Sequence, residues 1–275
     1  MSWAFNELDV FMSDTDVDFE NHSTTGWFNV SDYGTVRSRP TITSSTFSGS
    51  SINIPGKNGL DYESFDKRGN AKIEFEILIA EDWPHARLYN PPKSVWDRID
   101  VLLARLYTAK VISYQEPGKE ATFFYKVKRL TATITDAYAE AATIKATAEV
   151  TPFRYDFSGW APTQLQNGSV FQNKYAGMPC APALFISGTG AIAVYNSISK
   201  EVGVIASAND TNDAIVIDSE KMLAYFESDM SNANAYLEGN YDVLRVNGHY
   251  MDEVLVFQYE GLTNVRIATK DGIVI

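Results

Sequence analysis

Residues 72–79 read Lys-Ile-Glu-Phe-Glu-Ile-Leu-Ile and alternate between polar and apolar side chains up to Leu78. Successive side chains of an extended strand point to opposite faces. One face of this segment would therefore carry only apolar side chains, namely Ile73, Phe75, Ile77 and Ile79. The opposite face would carry Lys72, Glu74 and Glu76. The pattern predicts a β-strand with one buried side.

The segments that follow extend this β pattern. Val111–Tyr114, Ala121–Ile134 and Ala141–Val150 are rich in β-branched and aromatic residues and are predicted strands. Glu116-Pro-Gly-Lys, between the first two, has the composition of a tight turn. The first half of the chain is therefore predicted to be mainly β.

One segment has helical spacing instead. From Ser94 onward the apolar residues form a single helical stripe: Val95, Ile99, Leu102, Leu103 and Leu106. Ser94 with Asp97 three residues later is typical of a helix N-terminus, and Pro91-Pro92 stops the preceding chain from joining the helix. The pattern predicts one helix over 94–108, packed on a β-rich α+β domain.

The second half predicts short strands separated by turn residues. The predicted strands are Ala183–Ile186, Ile192–Tyr195, Ala214–Asp218, Glu253–Phe257 and Asn264–Ala268. Several short strands at such spacing favour a β-sandwich. The charge also changes here, since residues 1–155 hold 17 Lys+Arg against 21 Asp+Glu while residues 156–275 hold 6 against 14. We therefore expect two domains, 1–156 and 157–275, joined by the polar stretch 158–176.

Composition excludes several classes of protein. The 275 residues are 45% hydrophobic and 21% charged, which is typical of globular rather than disordered chains. No apolar run approaches the ~20 residues that span a bilayer, so no membrane insertion is expected. Residues 1–7 lack the pattern of a Sec signal peptide, and synthesis in a bacterial cytoplasm is expected. The net charge of −12 argues against stable nucleic-acid binding, which needs clustered Lys and Arg.

The residues that could carry catalysis or bind metal are few and scattered. The three histidines, His22, His85 and His249, lie in unrelated segments, and Cys180 is the one cysteine. These positions favour structural roles over a zinc site or a Cys–His mechanism, with Cys180 as a small buried thiol. We expect no catalytic residue, no metal site and no cofactor.

Three glycine-containing or acidic segments imitate ligand-binding loops. Residues 14–25 begin like a calcium loop but place Phe19 and Thr25 where the EF-hand needs Gly and Glu, although a looser cation site stays open. Gly188-Thr-Gly190 is followed by a strand pattern rather than a helix, so a hairpin is expected instead of a dinucleotide site. Gly56-Lys57 lacks the glycine spacing of a phosphate-binding loop.

Four stretches, in order, resemble the distal tail protein family of siphophages. The first is Ile52–Asp61, which is similar to the family's Ile-Pro-Gly-Arg-(Asn/Asp)-Gly-x-x-Asp hallmark with Lys57 in place of Arg, and its Pro-Gly and Asn-Gly pairs predict a sharp turn between two strands. The second is the capped helix at 94–108. The third is Thr151–Tyr155, and the fourth combines 181–188 with 214–222. Residues 239–248 depart from the family pattern, which puts only the local loop shape in question.

The resemblance implies a fold and an assembly. The family's N-terminal domain is a split β-barrel with one helix, and six copies close a ring. Its C-terminal domain is a galectin-like β-sandwich outside the ring. The implied function is a structural, non-enzymatic virion component at the distal tip of the tail. Its implied partners are other copies of the chain, the major tail-tube protein, and a tail-associated lysin, tail fibre or receptor-binding protein.

The acidic character suggests how DNA would pass such a ring during ejection. A basic lumen would retain phosphates, whereas an acidic one repels them. We hypothesise that acidic groups of the N-terminal segment line the channel, from the set Asp9, Asp14, Asp16, Asp18 and Glu20. Decoration of the outer surface is the alternative for these residues.

Two other functions remain open at this stage. A carbohydrate-binding module of a phage or prophage adhesion device is one alternative, because exposed aromatics on a sandwich can stack on sugars. The candidate aromatics are Tyr225, Phe226, Tyr236, Tyr241 and Tyr250. A core or interface role is the competing interpretation of these residues. The second alternative function is a tail-associated hydrolase, and no catalytic motif in the sequence supports it.

Overall fold

The structure is a computed structural model. It describes residues 9–14, 27–45, 51–52, 61–62, 68–81, 94–115, 123–138, 140–175, 178–198, 202–208, 213–236, 241–246 and 253–274. The chain divides into two compact units. The first holds the described residues as far as Arg154 together with Val274, and the second holds Tyr155–Ile273. The fold is mainly β with antiparallel sheets, and the described residues contain one α-helix, which confirms the predicted class.

The first unit is a sheet with one helix. Its strands are β1 Asp9–Ser13, β2 Trp27–Asn29, β3 Thr35–Val36, β4 Thr41–Thr43, β5 Ser51–Ile52, β6 Asp61–Tyr62, β7 Ala71–Ala80, β8 Val111–Gln115, β9 Phe123–Ala137 and β10 Ala141–Asp156. The helix α1 spans Val95–Thr108, and a 3₁₀ helix spans Val30–Asp32. The sheet order is β2-β1-β8-β9-β10-β7-β3, with β4 also on β7, while β5 and β6 pair separately.

The strand predicted over 72–79 is confirmed as β7. It pairs with β10 from Ala80 opposite Ala141 to Ala71 opposite Val150. The four apolar side chains predicted to face inward, Ile73, Phe75, Ile77 and Ile79, are all buried. Burial of one face along ten residues fixes the register, because a slip of one residue would turn that face to solvent.

The predicted helix is also confirmed. The Ser94 hydroxyl accepts a hydrogen bond from the backbone N–H of Asp97 at 3.1 Å, as an N-cap does. The stripe residues Val95, Ile99, Leu102 and Leu106 are buried, and Leu103 is partly buried. This face packs on β7 and β9, so the helix covers the sheet and closes the core of the first unit.

The second unit is a seven-stranded antiparallel sheet. Its strands are β11 Thr163–Gln164, β12 Val170–Gln172, β13 Ala183–Asn196, β14 Val202–Ala208, β15 Ile215–Asp218, β16 Leu223–Phe226 and β17 Val254–Ala268. A short strand β18 spans Gly272–Val274, and 3₁₀ helices span Phe157–Trp160, Asn234–Tyr236 and Tyr241–Leu244. The order is β11-β17-β13-β15-β16, with β12 on β17 and β14 on β13. The split barrel and the galectin-like sandwich remain predictions.

Two sequence predictions in this unit are wrong. Gly188-Thr-Gly190 does not form a hairpin but lies within the continuous strand β13, and the two strands predicted between 253 and 268 are one strand, β17. The ladder between β13 and β17 is irregular at Gly188. A Cβ on Gly190 would lie 2.0 Å from the Glu260 carbonyl oxygen. Glycine is needed at 190 for the close approach of two strands, rather than for a reversal of the chain.

Candidate functional site

The hallmark segment 52–61 is described only at its ends. Ile52 lies opposite Asp61 in the antiparallel pair β5–β6, and Ser51 lies opposite Tyr62. The chain therefore leaves and returns along adjacent antiparallel strands. The turn itself, residues 53–60, lies outside the described residues, so its predicted conformation stays a prediction.

Most of the candidate ligands also lie outside the described residues. This holds for His22, His85 and His249 and for Asp16, Asp18 and Glu20. Of the remaining acidic residues, Asp9 belongs to β1 and Asp14 is exposed. No group of three or more His, Cys, Asp or Glu side chains within the described ranges could hold a metal ion.

Cys180 lies in the core of the second unit, as its sequence context predicted. Its backbone exchanges hydrogen bonds with Val246 at 2.9 and 3.0 Å, and its side chain is buried. Burial raises the pKa of the thiol far above its ordinary value, with the nearby carboxylates of Asp271 and Glu253 adding to the effect. A thiol held neutral in this way is a poor nucleophile.

The aromatic residues proposed for sugar stacking do not form one platform. Tyr225 is buried, while Phe226 and Tyr236 are partly exposed and meet edge to face with ring centroids 5.5 Å apart. The side chain of Tyr241 and the whole of Tyr250 lie outside the described part of the chain. The three described rings therefore contribute mainly to packing around β16 and the 3₁₀ helix at 234–236.

One strand of the first unit has an open edge among the described residues. Strand β8 pairs with β9 only at Tyr125 and Lys126, and the Val127 N–H then donates to the Lys110 carbonyl at 2.7 Å. Beyond that point no described strand lies beside β9 on the edge away from β10. We call residues 128–138 of this strand and the turn after it the β9 edge.

Exposed apolar and aromatic side chains gather along the β9 edge. Ile134 is 40% exposed and Tyr138 is 70% exposed. On the neighbouring helix Tyr107 is 57% exposed, and its hydroxyl donates to the Ala132 carbonyl at 3.1 Å. Trp96, also exposed, lies three turns earlier along the helix. Edge strands of soluble monomers are usually protected by charge, proline or a covering element. The β9 edge carries Lys128 and Arg129 at its start, and only Asp136 is charged in its outer half.

The sequence alone missed two buried cations. Arg98 lies outside the apolar stripe of α1, yet its guanidinium is buried and donates to the Ala80 carbonyl at 2.6 Å. Burial lowers the pKa of Arg98, which Glu81 partly offsets. Lys270 is 2% exposed, and its Nζ lies 2.8 Å from the Asp218 carboxylate, which is fully buried. No local sequence pattern indicates the burial of either cation, because the partner of each lies far away in the sequence.

No helix of the described residues is long and apolar enough to cross a membrane.

The comparisons with known proteins give structural likeness only. No protein-family model and no curated protein matches the sequence. The chain is similar to a chain of the phage P2 baseplate in its activated conformation with Ca, with 9% sequence identity and a TM-score of 0.48 over 96% of this chain and 98% of that one. It is also similar to a chain of the phage p2 baseplate in its activated conformation with Sr, with 8% identity and a TM-score of 0.46 over 94% and 96%.

Proposed function

We propose that this chain is a structural, non-enzymatic phage tail protein of the distal tail type. Six copies form a hub ring at the distal tip of the virion tail. The ring joins the tail tube to the tail-associated lysin or baseplate and to the host-adhesion apparatus. The support is the order of the resembling stretches, 52–61, 94–108, 151–155 and 181–188, over most of the chain.

The observation that carries the assembly role is the β9 edge. A strand edge presents a row of backbone N–H and C=O groups that can pair with another chain. Ile134 and Tyr138 would lose apolar area to such a partner, as would Tyr107 on the adjoining helix. The proposed occupant is a second copy of this chain, because the resemblance implies a ring of identical subunits.

Ring closure requires two different patches on each subunit. The sheet of the first unit offers a second edge at the β3 end of its strand order, where β3 and β4 pair with β7 and with no other described strand. The exposed side chains of Thr41 and Thr43 mark this second edge. We place the β9 edge of one copy against the β3–β4 edge of the next, so that each copy uses both edges once.

A charge placed on the β9 edge tests this arrangement. Ile134→Lys puts an ammonium group on the apolar part of the edge, while Leu223→Lys is the matched control at an exposed apolar residue of the second unit. The wild type and the control should sediment as hexamers at high concentration or with the tail-tube protein. Ile134→Lys should remain monomeric with an unchanged circular dichroism spectrum.

Two results would count against the proposal. Hexamers of Ile134→Lys with wild-type stability would show that the β9 edge is not the interface. If the wild type stays monomeric at every concentration, even with the tail-tube protein, the proposed hub function itself is contradicted.

A further inference from the structure

One ion pair of the second unit is almost completely buried. The Lys270 side chain is 2% exposed, the Asp218 side chain is fully buried, and Lys270 Nζ lies 2.8 Å from Asp218 Oδ1. A second carboxylate, that of Glu220, lies 3.2 Å from the same Nζ, and its side chain is 35% exposed. A primary amine is therefore held against one carboxyl group, with a second and more exposed carboxylate beside it. The proposed hub function uses none of these three side chains.

The surroundings of the pair are apolar. Asp218 lies opposite Ala183 in the ladder of β13 and β15, and it projects from the same face as Val216, two residues earlier. Ala183 and Val216 belong to a buried apolar cluster. The ring of Trp160, itself buried, has its centroid 5.1 Å from Lys270 Nζ. Charges are costly in such surroundings, and transfer of one proton from the amine to the acid removes both charges at once.

The backbone holds the carboxyl group of Asp218 at one oxygen. The N–H groups of Glu220 and Lys221 donate to Asp218 Oδ1 at 3.0 and 3.2 Å. The turn that carries them is held by the Ser219 hydroxyl, which donates to the Pro182 carbonyl at 2.7 Å. Two backbone donors on one oxygen act as an oxyanion hole when the carboxyl carbon is attacked. The other oxygen, Oδ2, is buried and makes no hydrogen bond within the described part of the chain.

The lysine is held in an unusual backbone conformation. Lys270 has a φ of 50°, in the left-handed region that residues with a Cβ rarely adopt. Its backbone N–H donates to the Gly159 carbonyl at 2.8 Å, which helps to hold this conformation. Strain of this kind concentrates where a side chain has a specific task. At Lys270 it accompanies an amine that contacts two carboxyl groups instead of solvent.

We propose that Lys270 and Asp218 join in an isopeptide bond that the folded chain forms by itself. Glu220 first carries one proton from the Lys270 ammonium to Asp218 Oδ2, which leaves a neutral amine and a neutral acid. Nζ then attacks Cγ of Asp218, and negative charge develops on Oδ1. Glu220 carries a second proton from the nitrogen to Oδ2, which leaves as water. One ammonium and one carboxylate become one amide and one water molecule, so atoms and charge balance without a co-reactant.

The neighbouring lysine does not meet the same conditions. Lys221 Nζ lies 4.0 Å from Asp218 Oδ2, and the Lys221 side chain is 49% exposed. An ammonium in contact with water keeps its proton and is not a nucleophile. Lys221 therefore provides the matched control for the reaction of Lys270.

The bond ties the end of β15 to the residues that follow β17. A cross-link between positions distant in sequence restricts the unfolded chain and so stabilises the fold. The reaction occurs once in each chain, which is compatible with a non-enzymatic protein. It does not depend on the proposed hub function, because all three residues lie in the second unit. The charges of the pair contribute to stability only in chains that have not yet reacted.

Mass spectrometry of the intact, denatured chain tests the proposal. The wild type, kept folded for several days, should lose the mass of one water molecule. Tryptic digestion should then yield a branched peptide that joins Asp218 to Lys270, with no cleavage after Lys270. Lys221→Met should show the same loss. Lys270→Met and Glu220→Gln should keep the mass calculated from their sequences, because the first lacks the amine and the second cannot carry the proton.

Three results would overturn the proposal. The first is a folded wild type that keeps the mass calculated from its sequence, a readout that needs no variant to fold. The second is a loss of water that persists in Lys270→Met, which would assign the dehydration to another site. The third is a Glu220→Gln variant that forms the bond as fast as the wild type. Sedimentation of the same samples tests the hub separately, because none of these variants alters the β9 edge.

Discussion

Replacement of Lys270 by methionine should strongly destabilise the second unit. The Lys270 ammonium lies 2.8 Å from the Asp218 carboxylate and 3.2 Å from that of Glu220. It also lies 5.1 Å from the centroid of the Trp160 ring. Methionine retains much of the apolar stem but removes the charge, so the variant isolates the electrostatic contribution.

The magnitude follows from the position of the remaining partner. Asp218 is fully buried, and its Oδ1 also accepts the backbone N–H groups of Glu220 and Lys221 at 3.0 and 3.2 Å. These bonds hold the carboxylate in place but supply no full counter-charge. Removal of one member of a buried pair costs about 3–5 kcal/mol. We expect the free energy of unfolding of the second unit to fall by that amount.

Urea denaturation followed by circular dichroism measures this loss. Lys221→Met is the matched control, because the Lys221 ammonium is half exposed and lies 4.0 Å from the same carboxylate. Such exposed pairs contribute about 0–1 kcal/mol. The double variant Lys270→Met/Asp218→Asn should recover part of the loss. Equal, small effects of Lys270→Met and Lys221→Met would refute the reasoning.

Three further outcomes are expected. Gly190→Ala should lower the free energy of unfolding, measured by urea denaturation, by about 3 kcal/mol, because the new Cβ meets the Glu260 carbonyl oxygen at 2.0 Å. An unchanged free energy of unfolding would mean that the two strands can move apart without cost. The Cys180 thiol should react with a disulfide reagent only after unfolding, since burial keeps it neutral; rapid labelling of the native protein would contradict this. Burial tends to raise the pKa of Asp156, but hydrogen bonds from Lys174 and others outweigh it and hold that pKa below its ordinary value. The stabilisation by the ionised Asp156 is therefore present above about pH 4 and lost as the pH falls. Asp156→Asn should make the free energy of unfolding depend less on pH in this range. The same acid-induced loss of stability in the variant and the wild type would contradict this.

Elements governed by local chemistry were predictable from the sequence. The helix α1 follows from the spacing of its apolar residues and from the Ser94 cap, both of which act within a few residues. Strand β7 follows from the alternation of polar and apolar side chains over residues 72–77. In both elements the buried face is determined by the order of side chains along one segment, so no knowledge of the partner strand was required.

Features that depend on distant contacts were not predictable. Gly190 suggested a turn, but the reason for glycine is the backbone of Glu260 and Gly261 on another strand. The sequence left Tyr225 open between sugar stacking and a core or interface role, and β16 places it in a buried cluster. Nothing near Lys270 or Arg98 in the sequence indicates their burial, and only the folded chain brings Asp218 and the Ala80 carbonyl to them.

The ladder between β13 and β17 is irregular near Gly188, yet both halves of β13 serve a single core. Strand β17 has one extra residue, Thr263, between the partners of Ser187 and Gly188, and β13 has one extra residue before Ala191. The two insertions cancel, so the register is the same on both sides of the irregularity. The inward side chains on either side therefore reach the same core: Leu184, Ile186, Ile192 and Val194. A single insertion would have left the ladder shifted by one residue on one side, and such a shift turns the side chains of a strand to its other face.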